Sequence, residues 1–86
     1  MSDERLQPAI AMLEHICGDR TVPKNIRASC EECINILKKE DEETSVKVST
    51  CVAILDEASN DPNIPMYART QIWNCVTLLE AVGADS

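Results

Sequence analysis

The two halves of this 86-residue chain align with each other at a shift of 42 positions, and this internal repeat constrains the fold more than any other feature. Seven aligned positions carry the same residue. They are Ala11 and Ala53, Leu13 and Leu55, Asp19 and Asp61, Pro23 and Pro65, Arg27 and Arg69, Cys33 and Cys75, and Leu37 and Leu79. Because the matches concentrate at turns and at apolar positions, we predict a single domain over residues 1–86 with repeat units 1–42 and 43–84.

Apolar side chains recur at helical spacing in four segments of the chain. These segments occupy residues 6–17, 26–37, 48–58 and 68–82. Gly18 and Gly83 are the only glycines, and we predict that they end the first and fourth helices. The acidic stretch 40–45 is predicted to begin the third helix, since carboxylates favour a helix N-terminus. The scarcity of glycine and aromatic residues favours helices over strands.

Short connections between consecutive helices predict an all-α, up-and-down four-helix bundle formed by two repeated helical hairpins. Pairing residues at equal distances from each hairpin loop gives four core layers, all apolar or thiol. The layers are Leu6, Leu37, Val48 and Leu79; Ala9, Cys33, Cys51 and Cys75; Leu13, Cys30, Leu55 and Ile72; and Ile16, Ile26, Ala58 and Ala68. Pro8 would clash with the carbonyl group of Glu4 in a regular helix, so the first helix is predicted to begin near Gln7 or to kink there.

The two hairpin loops share the pattern Asp-x-[Thr/Asn]-[Val/Ile]-Pro at residues 19–23 and 61–65. Thr21 and Asn63 have side chains of the kind that cap helix N-termini. Proline is favoured in a first helical turn, where backbone N–H groups lack partners in any case. The loops therefore predict capped second and fourth helices.

Arg27 and Arg69 are equivalent in the repeat and follow their loops by one helical turn. We predict that they form ion pairs with Asp19 and Asp61 that hold each loop against its helix. The alternative is a symmetric two-arginine site for a small anion or a nucleotide, because both side chains belong to the same end of the bundle.

Charge, hydropathy, the N-terminal residues and the cysteine count each argue against a class of function. The net charge is −7, and because an acidic surface opposes phosphate contacts, we expect no nucleic-acid partner. No apolar run approaches the roughly 20 residues that span a bilayer, so we expect no membrane association. The N-terminal residues are polar and acidic, unlike a secretory leader. An odd number of cysteines, five, favours free thiols in a reducing cytoplasm.

Four of the cysteines fall on predicted core positions and raise the possibility of a metal or redox centre. Cys33, Cys51 and Cys75 belong to one layer and Cys30 lies one turn away, so four thiols could converge on zinc or on an iron-sulfur cluster. Across the repeat, however, Cys30 aligns with Ile72, an ordinary core residue. We therefore interpret the thiols as small hydrophobic side chains and predict no metal and no cofactor.

Catalytic machinery is not evident in the sequence. His15 is the only histidine, and the helical pattern places it on the face opposite Leu13, away from every thiol. Nucleophilic catalysis needs a base within reach of the nucleophile. No glycine-rich phosphate loop occurs either. We predict that the protein is not an enzyme and has no catalytic residue.

Trp73 is the residue most informative about function. It lies on the flank of the fourth helix's core stripe, with Arg69 one turn before it and Met66 two turns before it, and it aligns with Glu31 in the first repeat unit. Tryptophan and arginine are typical anchors of protein interfaces. Met66, Arg69 and Trp73 therefore form a predicted interaction surface, which self-association could also use. The alternative is that the N-terminal arm, residues 1–6, covers Trp73.

With these motifs in place, the whole chain resembles uncharacterised protein family 0147. The resemblance covers residues 4–83 and is carried by the Leu-Glu-x-Ile-x-x-Asp, Val-Pro-x-x-x-Arg and Asn-Ile-Pro stretches. It implies a small archaeal, cytoplasmic protein with an up-and-down four-helix bundle, and it supplies no activity or cofactor. The leading hypothesis is a non-enzymatic protein-protein interaction or scaffold module. The alternatives are a thiol-based metal-binding or redox protein and a binder of small anions or nucleotides.

Overall fold

The structure, a computed structural model, describes residues 4–84. A short 3-10 helix, Glu4–Leu6, leads directly into the first of four α-helices. The four are α1 (Gln7–Cys17), α2 (Lys24–Leu37), α3 (Thr44–Ala58) and α4 (Met66–Ala84). Each helix packs against the next, and α4 packs back against α1. The described residues contain no strand, and the predicted all-α four-helix bundle is confirmed.

All members of the four predicted core layers are buried, as predicted. Two contacts show the register directly in the layer of Ala9, Cys33, Cys51 and Cys75. The Cys75 thiol donates to the carbonyl oxygen of Ala9 at 3.8 Å, and the Cys33 thiol to the carbonyl oxygen of Cys51, also at 3.8 Å. Further apolar side chains join the same core. These are Ile10, Val22, Ile34, Ile64 and Val82.

Pro8 is accommodated because α1 begins at Gln7. The proline therefore stands in the first turn, where its missing N–H group leaves no hydrogen bond unmade. Of the two predicted possibilities, the structure shows the late start. The end of α1 at Cys17 also agrees with the prediction, although Gly18 has a right-handed φ of −85° and not the left-handed conformation that favours glycine.

The prediction that Gly83 ends α4 is wrong, because the helix continues through it to Ala84. The structure gives this glycine a packing role. A Cβ atom at position 83 would lie 3.0 Å from Cγ1 of Val48. Glycine thus lets the last turn of α4 lie close against the first turn of α3, a contact between two helices that the sequence of one helix does not reveal.

The predicted helix caps are also wrong. Helix α2 begins directly after Pro23, which occupies the N-cap position without a side-chain hydrogen bond to the helix, and α4 begins directly after Pro65. Thr21 and Asn63 instead belong to turns that precede the helices. Their backbone N–H groups bind the side chains of aspartates two residues earlier, so the loop, and not the helix end, uses these hydrogen bonds.

Lys47 is a buried cation that the sequence analysis did not single out. Its side chain is 2% exposed, and its Nζ atom donates to the carbonyl oxygens of Lys39 at 2.6 Å and Leu37 at 3.5 Å. Leu37 is the last residue of α2, at the negative end of the helix dipole, and Lys39 lies two residues beyond it in the connection to α3. Lys47 therefore joins the start of α3 to the end of α2.

Candidate interaction surface

The two hairpin loops lie at the same end of the bundle, and each aspartate there has two roles. Oδ1 of Asp19 accepts hydrogen bonds from the backbone N–H of Thr21 at 2.9 Å and from its hydroxyl group at 2.6 Å. Oδ2 of Asp19 accepts a hydrogen bond from the hydroxyl group of Tyr67, at the start of α4. These hydrogen bonds, that of Thr21 first, lower the pKa of Asp19 from 3.8 to about 2.

The second loop makes the equivalent contacts. Oδ1 of Asp61 accepts a hydrogen bond from the backbone N–H of Asn63 at 2.8 Å, and Oδ2 accepts one from the side chain of Asn25 at 3.0 Å. Asn25 aligns with Tyr67 across the 42-residue shift. The hydrogen bond from Asn25 lowers the pKa of Asp61. Each hairpin therefore binds the loop of the other, which joins the two hairpins at this end.

Arg27 and Arg69 hold the loops by contacts other than the predicted ion pairs. Nε of Arg27 donates to the carbonyl oxygen of Val22 at 3.1 Å, and Nη2 of Arg69 donates to that of Asp61 at 3.0 Å. Among residues 4–84, neither arginine forms an ion pair with an aspartate. The arginines thus bind loop carbonyl groups, because the aspartate side chains already accept hydrogen bonds from their own turns and from the other hairpin.

This geometry does not favour the two-arginine site for an anion. Both guanidinium groups already bind carbonyl oxygens. The same end of the bundle also carries Asp19 and Asp61, whose lowered pKa values keep them ionised at neutral pH. A bound anion would have to overcome repulsion from two carboxylates.

The pKa is raised for three of the four core thiols, and the hydrogen bond with Cys33 lowers that of the fourth, Cys51. The Cys51 thiol donates to the carbonyl oxygen of Cys33 at 3.5 Å, so both thiols of this pair bind backbone atoms. Burial raises the pKa of Cys30 and of Cys75 to about 12, and the hydrogen bond with Cys51 together with burial raises that of Cys33. Thiols with a raised pKa stay protonated at neutral pH and are poor nucleophiles.

Within residues 4–84, no group of three or more His, Cys, Asp or Glu side chains could hold a metal ion. The candidates Cys30, Cys33, Cys51 and Cys75 are all in the core, as predicted, but the structure does not bring them together as a ligand set.

His15 is exposed on α1, as the sequence indicated. A surface depression between α2 and α3 is lined by the carboxylates of Glu32, Glu57 and Asp61, without a basic side chain.

The exposed apolar side chains of α4 are the remaining candidate site. Trp73 is 74% exposed and Met66 is 75% exposed, which is unusual for side chains of this size. The predicted cover is not observed: Leu6 is buried in the core, and the described part of the arm, residues 4–6, leaves Trp73 open to solvent. Residues 1–3 of that arm lie outside the described residues.

A groove of about 320 Å³ runs beside Trp73, between α3 and α4. We call it the α4 groove. From α4 it is lined by Arg69, Ile72, Trp73, Val76, Thr77 and Glu80, and on the other side by Asp56 of α3 and by Ser59, which directly follows that helix. The structure thus brings Arg69 and Trp73 together on one surface, whereas Met66 lies beyond the lining residues. Val76 and Glu80 also line the groove, and the sequence had not singled them out. Arg69, Trp73, Val76 and Glu80 are separated by four, three and four residues, and this helical spacing is the signal that could have identified them.

The known proteins that this chain resembles include several from archaea. The model of the uncharacterised protein family UPF0147 matches residues 1–82. The chain belongs to the UPF0147 family. A UPF0147 protein of Methanocaldococcus jannaschii is 49% identical over 80 residues, which cover 93% of this chain and 86% of that one. A UPF0147 protein of Methanothermobacter thermautotrophicus is 46% identical over 82 residues, covering 95% and 80% of the two chains.

Two solved structures have the same fold as this chain. The crystal structure of the unknown function protein MMP1188 has a TM-score of 0.86 and 41% identity, and the match covers 93% of each chain. A UPF0147 protein from Thermoplasma acidophilum has a TM-score of 0.88 and 31% identity, covering 94% of this chain and 95% of that one. The family is uncharacterised, so membership establishes the fold and supplies no activity. None of the described helices has the length and apolar character needed to cross a bilayer.

Proposed function

We propose that this UPF0147 protein is a non-enzymatic protein-protein interaction module whose binding surface is the α4 groove and its rim. The observation that carries the proposal is the exposure of Trp73, 74%, beside an open groove with an apolar floor. An exposed tryptophan flanked by arginine and aliphatic side chains has the composition of an interface hot spot. Exposure of such a surface to water is unfavourable unless a partner covers it.

The other surfaces supply less for a ligand. The loop end of the bundle uses its polar groups to join the hairpins, and the core thiols are buried, which raises the pKa of Cys30 and of Cys75 to about 12. We also propose that the module acts in the cytoplasm, which the five free thiols support, and that it binds no nucleic acid, which the net charge of −7 supports.

Site-specific photo-crosslinking tests the proposed surface in the full-length protein. A benzophenone amino acid is placed at Thr77, on the groove, and in a second variant at Glu31, the α2 position that aligns with Trp73. We expect protein adducts from position 77 and none from position 31. The partner chain in each adduct is identified by mass spectrometry.

A second substitution makes the test specific. Trp73→Glu introduces at α4 the residue that α2 carries at the aligned position. In this background the adducts from Thr77 should fall by about thirtyfold or more, the loss expected when a hot-spot residue worth about 2 kcal/mol is removed. Adducts of equal yield from positions 77 and 31, or adducts unaffected by Trp73→Glu, contradict the proposed function.

A further inference from the structure

We propose that the occupant of the α4 groove is a second copy of this chain, docked with the two α4 helices antiparallel so that Arg69 of each copy meets Glu80 of the other. The inference rests on the proposed function above and names its partner. Such a dimer is isologous, because the same surface of both copies forms the interface.

The spacing of four groove residues along α4 is the first argument. Arg69, Trp73, Val76 and Glu80 are separated by four, three and four residues, a pattern that keeps side chains on one face of a helix. All four line the α4 groove. They form a stripe with a cation at one end, a carboxylate at the other and two apolar residues between them.

This stripe complements itself when one copy is turned end over end. In the antiparallel arrangement the cation of each copy faces the carboxylate of the other, so that two ion pairs form at the ends. Trp73 of each copy then faces Val76 of the other in the centre. A parallel arrangement would instead place Arg69 against Arg69 and Glu80 against Glu80, which like charges oppose.

Among residues 4–84 neither Arg69 nor Glu80 forms an ion pair in the monomer. The Arg69 side chain is half-buried: its Nε atom is enclosed and Nη2 binds the loop carbonyl, which leaves Nη1 to meet a carboxylate of a second copy. Glu80 is exposed, and within residues 4–84 it forms no ion pair. Asp56 lines the groove from α3, yet it also forms no ion pair with Arg69.

The equivalent stripe on α2 shows that self-complementarity is specific to α4. The positions aligned with the α4 stripe are Arg27, Glu31, Ile34 and Lys38. In an antiparallel arrangement Arg27 would face Lys38, two cations, and no exposed aromatic residue would reach the centre. Of these two aligned stripes, the one on α4 fits its own copy and the one on α2 does not.

Size and net charge also bear on the choice of surface. The molecule measures 34 × 19 × 17 Å, so only a lateral face, such as the one that carries α4, approaches the roughly 800 Å² per partner of a standard interface. With a net charge of −7 per chain, two copies repel each other at long range. A dimer therefore requires local pairs of opposite charge, which the two ends of the stripe supply.

Charge reversal tests the arrangement in the full-length chain. Sedimentation velocity is measured from about 10 μM to about 1 mM, together with the emission of Trp73, the only tryptophan. The wild type should form a dimer with rising concentration, and its emission should shift to the blue as Trp73 is covered. Arg69→Glu and Glu80→Arg should each weaken the dimer at least about tenfold.

Two combinations show whether Arg69 and Glu80 face each other. The double variant R69E/E80R should recover the dimer, because the charges are exchanged and still opposite. A mixture of R69E with E80R should form a heterodimer, since each R69E chain then faces an E80R chain with both pairs restored. Glu31→Arg is the matched control, because it changes the net charge from −7 to −5, as Glu80→Arg does, and should leave the dimer unchanged.

The outcomes separate this inference from the proposed function. Circular dichroism first confirms that each variant is folded, and Glu80→Arg provides a test that does not disturb the loop contact of Arg69. The dimer is overturned if the wild type stays monomeric. It is also overturned if Arg69→Glu and Glu80→Arg dimerise as strongly as the wild type, or if mixing the two variants does not recover the dimer. If the crosslinks from Thr77 then contain a different protein, the interaction surface stands with another partner, and if they contain none, both proposals fall.

Discussion

Asp19 and Asp61 each serve their own turn with one carboxylate oxygen and the other hairpin with the second oxygen. These contacts involve ionised side chains, so their strength depends on pH. The pKa of both groups is lowered in the folded chain, which means that the ionised forms stabilise the fold.

Substitution of Asp19 by Asn should therefore alter the pH dependence of stability. The folded pKa of about 2 lies below the ordinary value of 3.8, so the stabilisation is fully present above the unfolded pKa and is lost as the pH falls toward 2. We expect Asp19→Asn to lower the melting temperature at pH about 7 and to match the wild type near pH about 2. Thermal denaturation followed by circular dichroism across this range measures the difference.

Asp41→Asn is the control for this substitution. It removes the same charge from the exposed connection between α2 and α3. A difference between Asp19→Asn and the wild type that stays constant down to pH about 2 would show that the carboxylate of Asp19 does not stabilise the fold in its ionised form.

At the scale of elements, the corner between α2 and α3 depends on Lys47. Its ammonium group binds the carbonyl groups of Leu37, at the end of α2, and of Lys39, just beyond it, while its aliphatic stem is buried. Lys47→Met keeps much of the stem and removes the hydrogen bonds. We expect a decrease of about 1–3 kcal/mol in the free energy of unfolding, the cost of leaving buried polar groups unpaired.

Lys38→Met is the control for Lys47→Met, and chemical denaturation measures the free energy of unfolding of both variants. Lys38 is exposed at the same end of α2, so its replacement loses only an attraction to the helix dipole of about 0.3–1 kcal/mol. Equal losses for the two variants would mean that the carbonyl contacts of Lys47 contribute nothing beyond its charge.

At the scale of the whole molecule, the four core thiols pack between helices of both hairpins, and three of them also donate hydrogen bonds to backbone carbonyl groups. A structural zinc site would contribute about 10 kcal/mol or more, so removing the metal would greatly lower stability. We expect anaerobically purified protein to contain no stoichiometric zinc or iron and to keep its melting temperature when a chelator is added. Metal analysis and thermal denaturation of the wild type and of Cys33→Ala, each with and without chelator, test this expectation.

The thiol-centred alternative would be supported if chelator or metal analysis distinguished the wild type from Cys33→Ala. Cys33→Ala should show a moderate loss of stability from the smaller side chain, the same with and without chelator. Stoichiometric metal in the wild type that disappears in Cys33→Ala would show that these thiols act as ligands.

Much of the fold was predictable because helices and cores leave periodic patterns in sequence. The spacing of apolar residues predicted four helices, and matching the hairpins predicted which side chains share a layer, down to the level of Ala9 and Cys75. The exposure of Trp73 was left open, because a flanking position can be covered by another segment. The late start of α1 was one of two predicted possibilities, since a proline restricts only its own first turn.

The sequence by itself determined the four helices and the apolar side chains of the core, because the spacing of apolar residues follows from the chain's own periodicity. Only the tertiary structure decided contacts between segments distant in sequence: Gly83 against Val48, Lys47 on the end of α2, and Tyr67 and Asn25 on the opposite loops. Such contacts depend on the distance and rotation between helices, to which no periodicity corresponds. The α4 groove belongs to this second group, since its walls come from two helices and only their packing brings Asp56 and Trp73 to one surface.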